Sequence, residues 1–190
     1  ITFDAVPELG SVGEVRIYNA ADDSVADVIT LGGEIDALGY PQQDRVRRVN
    51  YRAFMIEGNT LTIKPHNGSL EYGETYYVAI ADGVVINSTL NGVDFVGLSG
   101  NSNWYFSTKE VAPSGAQITV DDDGIADFRT VQGALNYVMQ SIDKDAQATI
   151  TVKNGTYNEL LYLRNKNNLT IEGEDREQTL IQYQNYESFN

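Results

Sequence analysis

The chain has 190 residues, 42% of them hydrophobic, which suits one large domain or two small ones and fits neither a disordered tail nor a membrane protein. Its 27 acidic against 13 basic residues give a net charge of −14, which disfavours nucleic-acid binding, because such binding leans on phosphate neutralisation by Lys and Arg. No cysteine is present, so disulfide frameworks, thiol nucleophiles and Cys-ligated zinc are excluded together.

The opening ITFDAVPELG lacks the basic start and apolar core of a signal peptide and reads as a mature or truncated start. No apolar run approaches the roughly 20 residues that span a bilayer, so no membrane span is expected. From Ile1 to about Glu110, short strand-like runs alternate with Gly, Asn and Asp turns: EVRIY, SVADVIT, RAFMIE, TLTIK, TYYVAI and WYFSTK. Regularly spaced short strands of this kind predict a β-sandwich over residues 1–110. Helical spacing is scarce there, and GEIDALGY is expected to form at most one helical turn. Residues 111–116, VAPSGA, combine Pro, Ser and Gly and predict a linker. Charge does not separate the halves: residues 1–112 carry 15 acidic and 7 basic side chains, net −8, and residues 113–190 carry 12 and 6, net −6.

The second half, residues 117–190, opens with one helix. Val131, Ala134, Leu135, Val138 and Ile142 form a single apolar stripe, and Thr130 stands where an N-cap belongs. Beyond Lys144, ATITVK, LLYLR, NLTIEG and TLIQY read as short strands with no second helix between them. Short strands recurring without helices suit the coils of a parallel β-helix, and the amphipathic helix before the first coil would cap the stack. About one and a half coils leave an apolar end and unpaired strand edges, so that end is expected to be covered by self-association, domain contact or lattice packing.

Several catalytic classes are unsupported by the residues. His66 is the only histidine, lies in the turn-like KPHNGS and is expected to be a solvated turn residue; with no cysteine it excludes Cys-His catalysis, and no G-x-S-x-G elbow is present. GLSGNSN has no following helix and does not read as a phosphate loop. Asp121, Asp122, Asp123 and Asp127 suggest calcium, yet Gly124 falls too early for an EF-hand, and no metal site is assigned.

Three stretches of the second half, DDDGIADFRTVQGALNYV, ATITVKNGTYNE and NNLTIEGEDREQTLI, resemble the N-terminal part of the pectin methylesterase family, a right-handed parallel β-helix. The family opens with D-G-x-x-D-F-x-T-V-x-x-A-(I/L), which Asp127, Phe128 and Thr130 match as framework positions, and its block G-x-Y-x-E is matched by Gly155, Tyr157 and Glu159. Two roles stand side by side for the block. In one, Gly155 makes the turn, Tyr157 packs and Glu159 caps or pairs nearby. In the other, Tyr157 and Glu159, with Asn185 and Asn190, contact a polysaccharide in a cleft. The first half is similar to bacterial immunoglobulin-like domains of the S-layer type, which carry L-x-(I/V)-x-P, then L-x-x-G-x-x-Y, and close on Y-x-F-x-T. Leu61, Pro65, Leu70, Gly73, Tyr76, Tyr105, Phe106 and Thr108 match it. The whole is thus expected to be mainly β, an immunoglobulin-like sandwich followed by the helix-capped start of a right-handed parallel β-helix.

The resemblance implies a secreted, cell-surface or periplasmic protein acting on pectin or polygalacturonate without a cofactor. In that family one Asp attacks the methyl ester, a second serves as acid and base, a Gln stabilises the oxyanion and an Arg orients the nucleophile; one carboxylate must be ionised and the other protonated. Those residues lie in blocks such as Q-D-T, D-F-I-F-G and L-G-R-P-W, which do not occur among these 190 residues, so no catalytic residue is expected in this chain. VDFVG at residues 93–97 is a near-match in the wrong place, and Asp94 is expected to be a loop or strand-end residue. The rival readings are a polysaccharide-binding or adhesive surface module, and a pectate lyase-like β-helix enzyme.

Overall fold

The computed structural model describes residues 1–40, 45–101 and 104–184. The chain is mainly β, with one α-helix among the described residues. It divides into two compact units, residues 1–36 with 50–112 and residues 37–49 with 113–190.

The strands of the first stretch are β1 (Glu8–Leu9), β2 (Glu14–Asn19), β3 (Val25–Thr30), β4 (Glu34–Tyr40), β5 (Arg45–Tyr51), β6 (Phe54–Glu57), β7 (Thr60–Ile63), β8 (Thr75–Ile80), β9 (Val85–Ile86), β10 (Thr89–Leu90), β11 (Val93–Asp94) and β12 (Tyr105–Ser107). An antiparallel sheet in the order β12-β8-β2-β3 dominates the first unit. Its strands alternate as a half-buried sheet requires. Val15 and Ile17 of β2 face inward opposite Ile80 and Val78 of β8, while Arg16 points out. Phe3, Leu61, Tyr76 and Val84 complete this core. Tyr76, fully buried, uses its hydroxyl to accept the Glu71 amide at 2.9 Å, so its polar end costs little.

One expectation fails here: EIDALGY is a strand and not a helical turn, because β4 pairs with β5. Gly39 takes φ +96°, outside the right-handed helical region, and the acidic side chains bond to neighbouring segments instead of a helix. Glu34 accepts the Thr30 amide at 2.6 Å, and Asp36 accepts the Asn67 amide at 3.0 and 3.2 Å.

In the second unit, β13 (Gln117–Val120) is followed by α1 (Val131–Ser141), β14 (Ala148–Val152), β15 (Gly155–Asn158), β16 (Leu169–Gly173) and β17 (Thr179–Gln182). These strands pair in parallel, in the orders β13-β14-β16 and β15-β17. The register stacks like on like: Ile118 on Ile150 on Ile171, and Val120 on Val152. The apolar stripe of α1, through Val131, Ala134, Leu135 and Val138, closes over Ile118, Val120, Ala148 and Ile150 to make a second core. On the last rung the same inward position changes character. Ile150 is fully buried, whereas Ile171 above it is 42% exposed, and Tyr157 is buried, whereas Ile181 of β17 above it is 36% exposed. No strand lies beyond β16 or β17 among the described residues, so their outer edges keep unpaired backbone groups.

LLYLR, expected as a strand, is not one. The amide of Tyr162 donates to Gln132 Oε1 at 2.7 Å and its carbonyl accepts from Gln132 Nε2 at 3.1 Å, so a helix side chain takes the groups a sheet ladder would use. Arg164 N likewise turns to Met139 Sδ. The strand forms five residues earlier, as β15, within the stretch NGTYNE.

Candidate functional site

The residues singled out in the second half converge on the N-terminal end of α1. A helix start leaves free amides that need acceptors. Thr130 is the N-cap, with extended backbone (φ −130°, ψ 146°), and its Oγ1 accepts the Gly133 amide at 3.1 Å. Glu159, from the chain just past β15, supplies the rest: Oε1 accepts the Val131 amide and Oε2 the Gln132 amide, each at 2.9 Å. A carboxylate at this end also meets the positive pole of the helix dipole, and a cap of this kind contributes roughly 0.5–2 kcal/mol. The sequence separation of 28 residues makes Glu159 a staple between the helix and the second rung.

Tyr157 sits two residues earlier and is 2% exposed. Its ring belongs to the core beneath α1, and its hydroxyl donates to the Lys153 carbonyl at 3.0 Å. Burial, helped by the nearby Asp122 charge, pushes the phenol pKa up, so the group stays a neutral donor. A side chain so enclosed packs and does not face a cleft, and the cap formed by Glu159 engages both of its oxygens. In this structure Tyr157 packs in the core and Glu159 caps the helix. Asn185 and Asn190, the other proposed sugar contacts, lie outside the described residues.

The family-matched positions upstream are equally tied into the backbone. Asp127 Oδ2 accepts both the amide and the hydroxyl of Thr119 at 2.9 Å, and the Asp127 amide returns a bond to Thr119 Oγ1 at 3.0 Å. Phe128 forms a parallel bridge to Val120 and packs on Tyr137, ring centroids 5.7 Å apart. Gly155 donates to the Gln178 carbonyl, and a Cβ built on it would lie 2.6 Å from Asp122 Oδ1, so the loop carrying Asp122 closes directly over it.

Gln132 is the residue that reading the sequence missed. It is buried, clamps Tyr162 through both backbone groups, and passes its second amide hydrogen to Asn136 Oδ1 at 2.7 Å. The same Asn136 oxygen accepts the Gly39 amide at 3.0 Å. A Gln and an Asn one helical turn apart beside an apolar stripe are the only sequence trace of this network.

Elsewhere, Asp121, Asp122 and Asp123 bring carboxylate oxygens within 4.8 Å of one another and are the acidic group able to hold a cation among the described residues. Asp121 Oδ1 already accepts the Gly124 and Asp123 amides at 2.8 and 3.2 Å, and the Gly124 bond above all holds its carboxyl pKa below the usual range. His66 is not a solvated turn residue. Its side chain is 20% exposed, its Nδ1 lies 2.8 Å from Asp27 Oδ1 and its Nε2 3.4 Å from Glu34 Oε2. Its amide also bonds to Asp27, so the imidazole fastens the loop after β7 to two strands. Asp94 ends the short strand β11 opposite Thr89, exposed.

This geometry defines a class: a mainly β protein whose parallel strands stack in register beneath one capping helix. Residues 117–189 match the family model described as Pectinesterase, which supports a pectinesterase-related function for the chain. No curated protein and no solved structure matches the chain.

Proposed function

We propose that this chain is the N-terminal, non-catalytic portion of a secreted pectinesterase, whose substrate is the methyl-esterified galacturonan of pectin. The observation that carries this is the pectinesterase match over residues 117–189. In this reading residues 117–190 are the helix-capped opening coils of a right-handed parallel β-helix, supported by the parallel in-register ladders and the Glu159 staple. The immunoglobulin-like accessory sandwich assigned to residues 1–110, from which residues 37–49 depart to the second unit, is supported by the antiparallel sheet β12-β8-β2-β3 over a single core. The nucleophile, the acid/base and the oxyanion donor are assigned to later coils of a longer protein, and no cofactor is needed.

The test is methanol release from methylated pectin. The 190-residue chain is expected to release none, and a longer protein carrying Q-D-T and D-F-x-F-G blocks after residue 190 is expected to release it; activity in the shorter chain would refute the division of labour. In the longer protein, the next coil covers Ile171 and Ile181. Without that coil, the exposed apolar rung is expected to drive pairing of two copies, and sedimentation should show mass rising with concentration. A strict monomer at every concentration would show that the rung needs no cover.

A further inference from the structure

The outward face of the sheet β12-β8-β2-β3 carries side chains that neither the core nor the pectinesterase match uses. The register sets Tyr105 beside Tyr77, and Tyr77 beside Tyr18, making one straight row across three strands. The Tyr18 and Tyr77 rings stack at 4.9 Å and 11°, and the Tyr105 ring follows at 5.9 Å, tilted 54°. Outward faces of antiparallel sheets ordinarily carry polar side chains. Cross-strand ring contacts give such a row some stability, which accounts for the enclosed Tyr77. They leave Tyr105 unaccounted for, at the end of the row on an edge strand, 46% exposed. Next to the row, the hydroxyls of Thr75 and Ser107 bond to each other at 2.9 Å on the same exposed surface.

Ring faces flanked by hydroxyls suit two kinds of partner, a nucleobase or a pyranose ring, since both offer a flat apolar face with polar edges. Charge decides between them. Nucleobases arrive on phosphates, and residues 1–112 carry a net charge of −8. Among the described residues the cation on this face, Arg16, is already paired to Glu14 at 2.6 Å, and the Tyr77 hydroxyl donates to the Asp23 carboxylate at 3.0 Å, so the face has no free positive charge and leans acidic. It therefore complements an uncharged sugar chain and repels a polyanion.

We propose that the row Tyr105–Tyr77–Tyr18 is a glycan-binding face for an uncharged pyranose chain, and that its ligand is galacturonan in the methyl-esterified state. The choice of ligand rests on the pectinesterase reading above; the site itself rests on the row. Such a face would hold the first unit on ester-rich stretches of polymer and release it where the esters have been removed.

The experiment is titration calorimetry of the whole 190-residue chain against methyl-esterified oligogalacturonides, their de-esterified counterparts and a neutral glucan oligomer. Circular dichroism confirms that each variant folds. The expected result is binding of the esterified oligomers, weaker binding of the de-esterified ones, and a roughly tenfold or greater loss in Tyr105→Ala and Tyr18→Ala. Tyr105→Trp is expected to restore binding, and Tyr72→Ala, at an exposed tyrosine outside the four strands, to leave it unchanged. No binding of any oligomer, or binding that ignores the Tyr105 and Tyr18 variants, overturns the site while the methanol test of the pectinesterase reading stands apart. Tyr105-dependent binding of the glucan alone overturns the assignment of galacturonan.

Discussion

A Leu135→Ala variant is expected to lose about 2–5 kcal/mol of stability in the second unit, enough to lower its melting temperature by roughly 10 °C or more. Leu135 is 1% exposed at the middle of α1, where it fills the space over the inward residues Ile118, Val120 and Ile150. Truncation leaves a cavity lined by β-branched side chains on strands fixed in register, which cannot move inward without breaking parallel ladders on both sides. The ends of the helix would still be held, by Thr130 and Glu159 at one and by the Ile142 amide on Val138 at the other. The loss should therefore appear as faster hydrogen exchange at Ile118 and Ile150 with little change in helix content. An unchanged melting temperature would show that the helix does not cover this core.

Gly97→Ala is expected to cost about 2–4 kcal/mol, in the first unit, through two separate effects. Gly97 takes φ +92°, a region that L side chains rarely enter, and a Cβ there would lie 2.4 Å from the carbonyl oxygen of Ile80. That carbonyl cannot yield cheaply, because Ile80 and Leu98 exchange both backbone bonds, at 2.8 and 2.9 Å. The variant should expose the amides of Ile80 and Leu98 to exchange before those of β2. Wild-type protection at both would mean that the loop can slide away from β8. This close approach also explains VDFVG, whose Gly serves the backbone of a sheet and whose Asp94 ends a two-residue strand.

Much of the fold can be read along the chain where a residue's environment is set by its near neighbours. Period-2 alternation in EVRIY marks β2 because every second side chain of a strand faces the same core. The stripe from Val131 to Val138 marks α1 for the equivalent reason at helical spacing, and Thr130 can be read as its cap because capping is a contact across three residues. The G-x-Y-x-E block is legible as a pattern, yet its meaning is not. That Glu159 reaches back 28 and 27 residues to two helix amides, and that Tyr157 is shut inside the core, are facts of how the rungs stack.

Local grammar is thus legible along the chain: mainly β, one helix and its cap, an excess of acid, and a pectinesterase-like pattern in the second half. Contacts between distant segments set the rest. They turned EIDALGY into a strand, because a partner strand and a positive φ at Gly39 outweigh its mixed pattern. They denied LLYLR a strand, because Gln132 reaches from the helix to take the backbone groups of Tyr162. They drew His66 from a turn into contact with Asp27 and Glu34, and lined three tyrosines in a row that no sequence spacing announces. In each case the deciding partner lies far along the chain, and its effect depends on register and burial, which the folded chain alone sets.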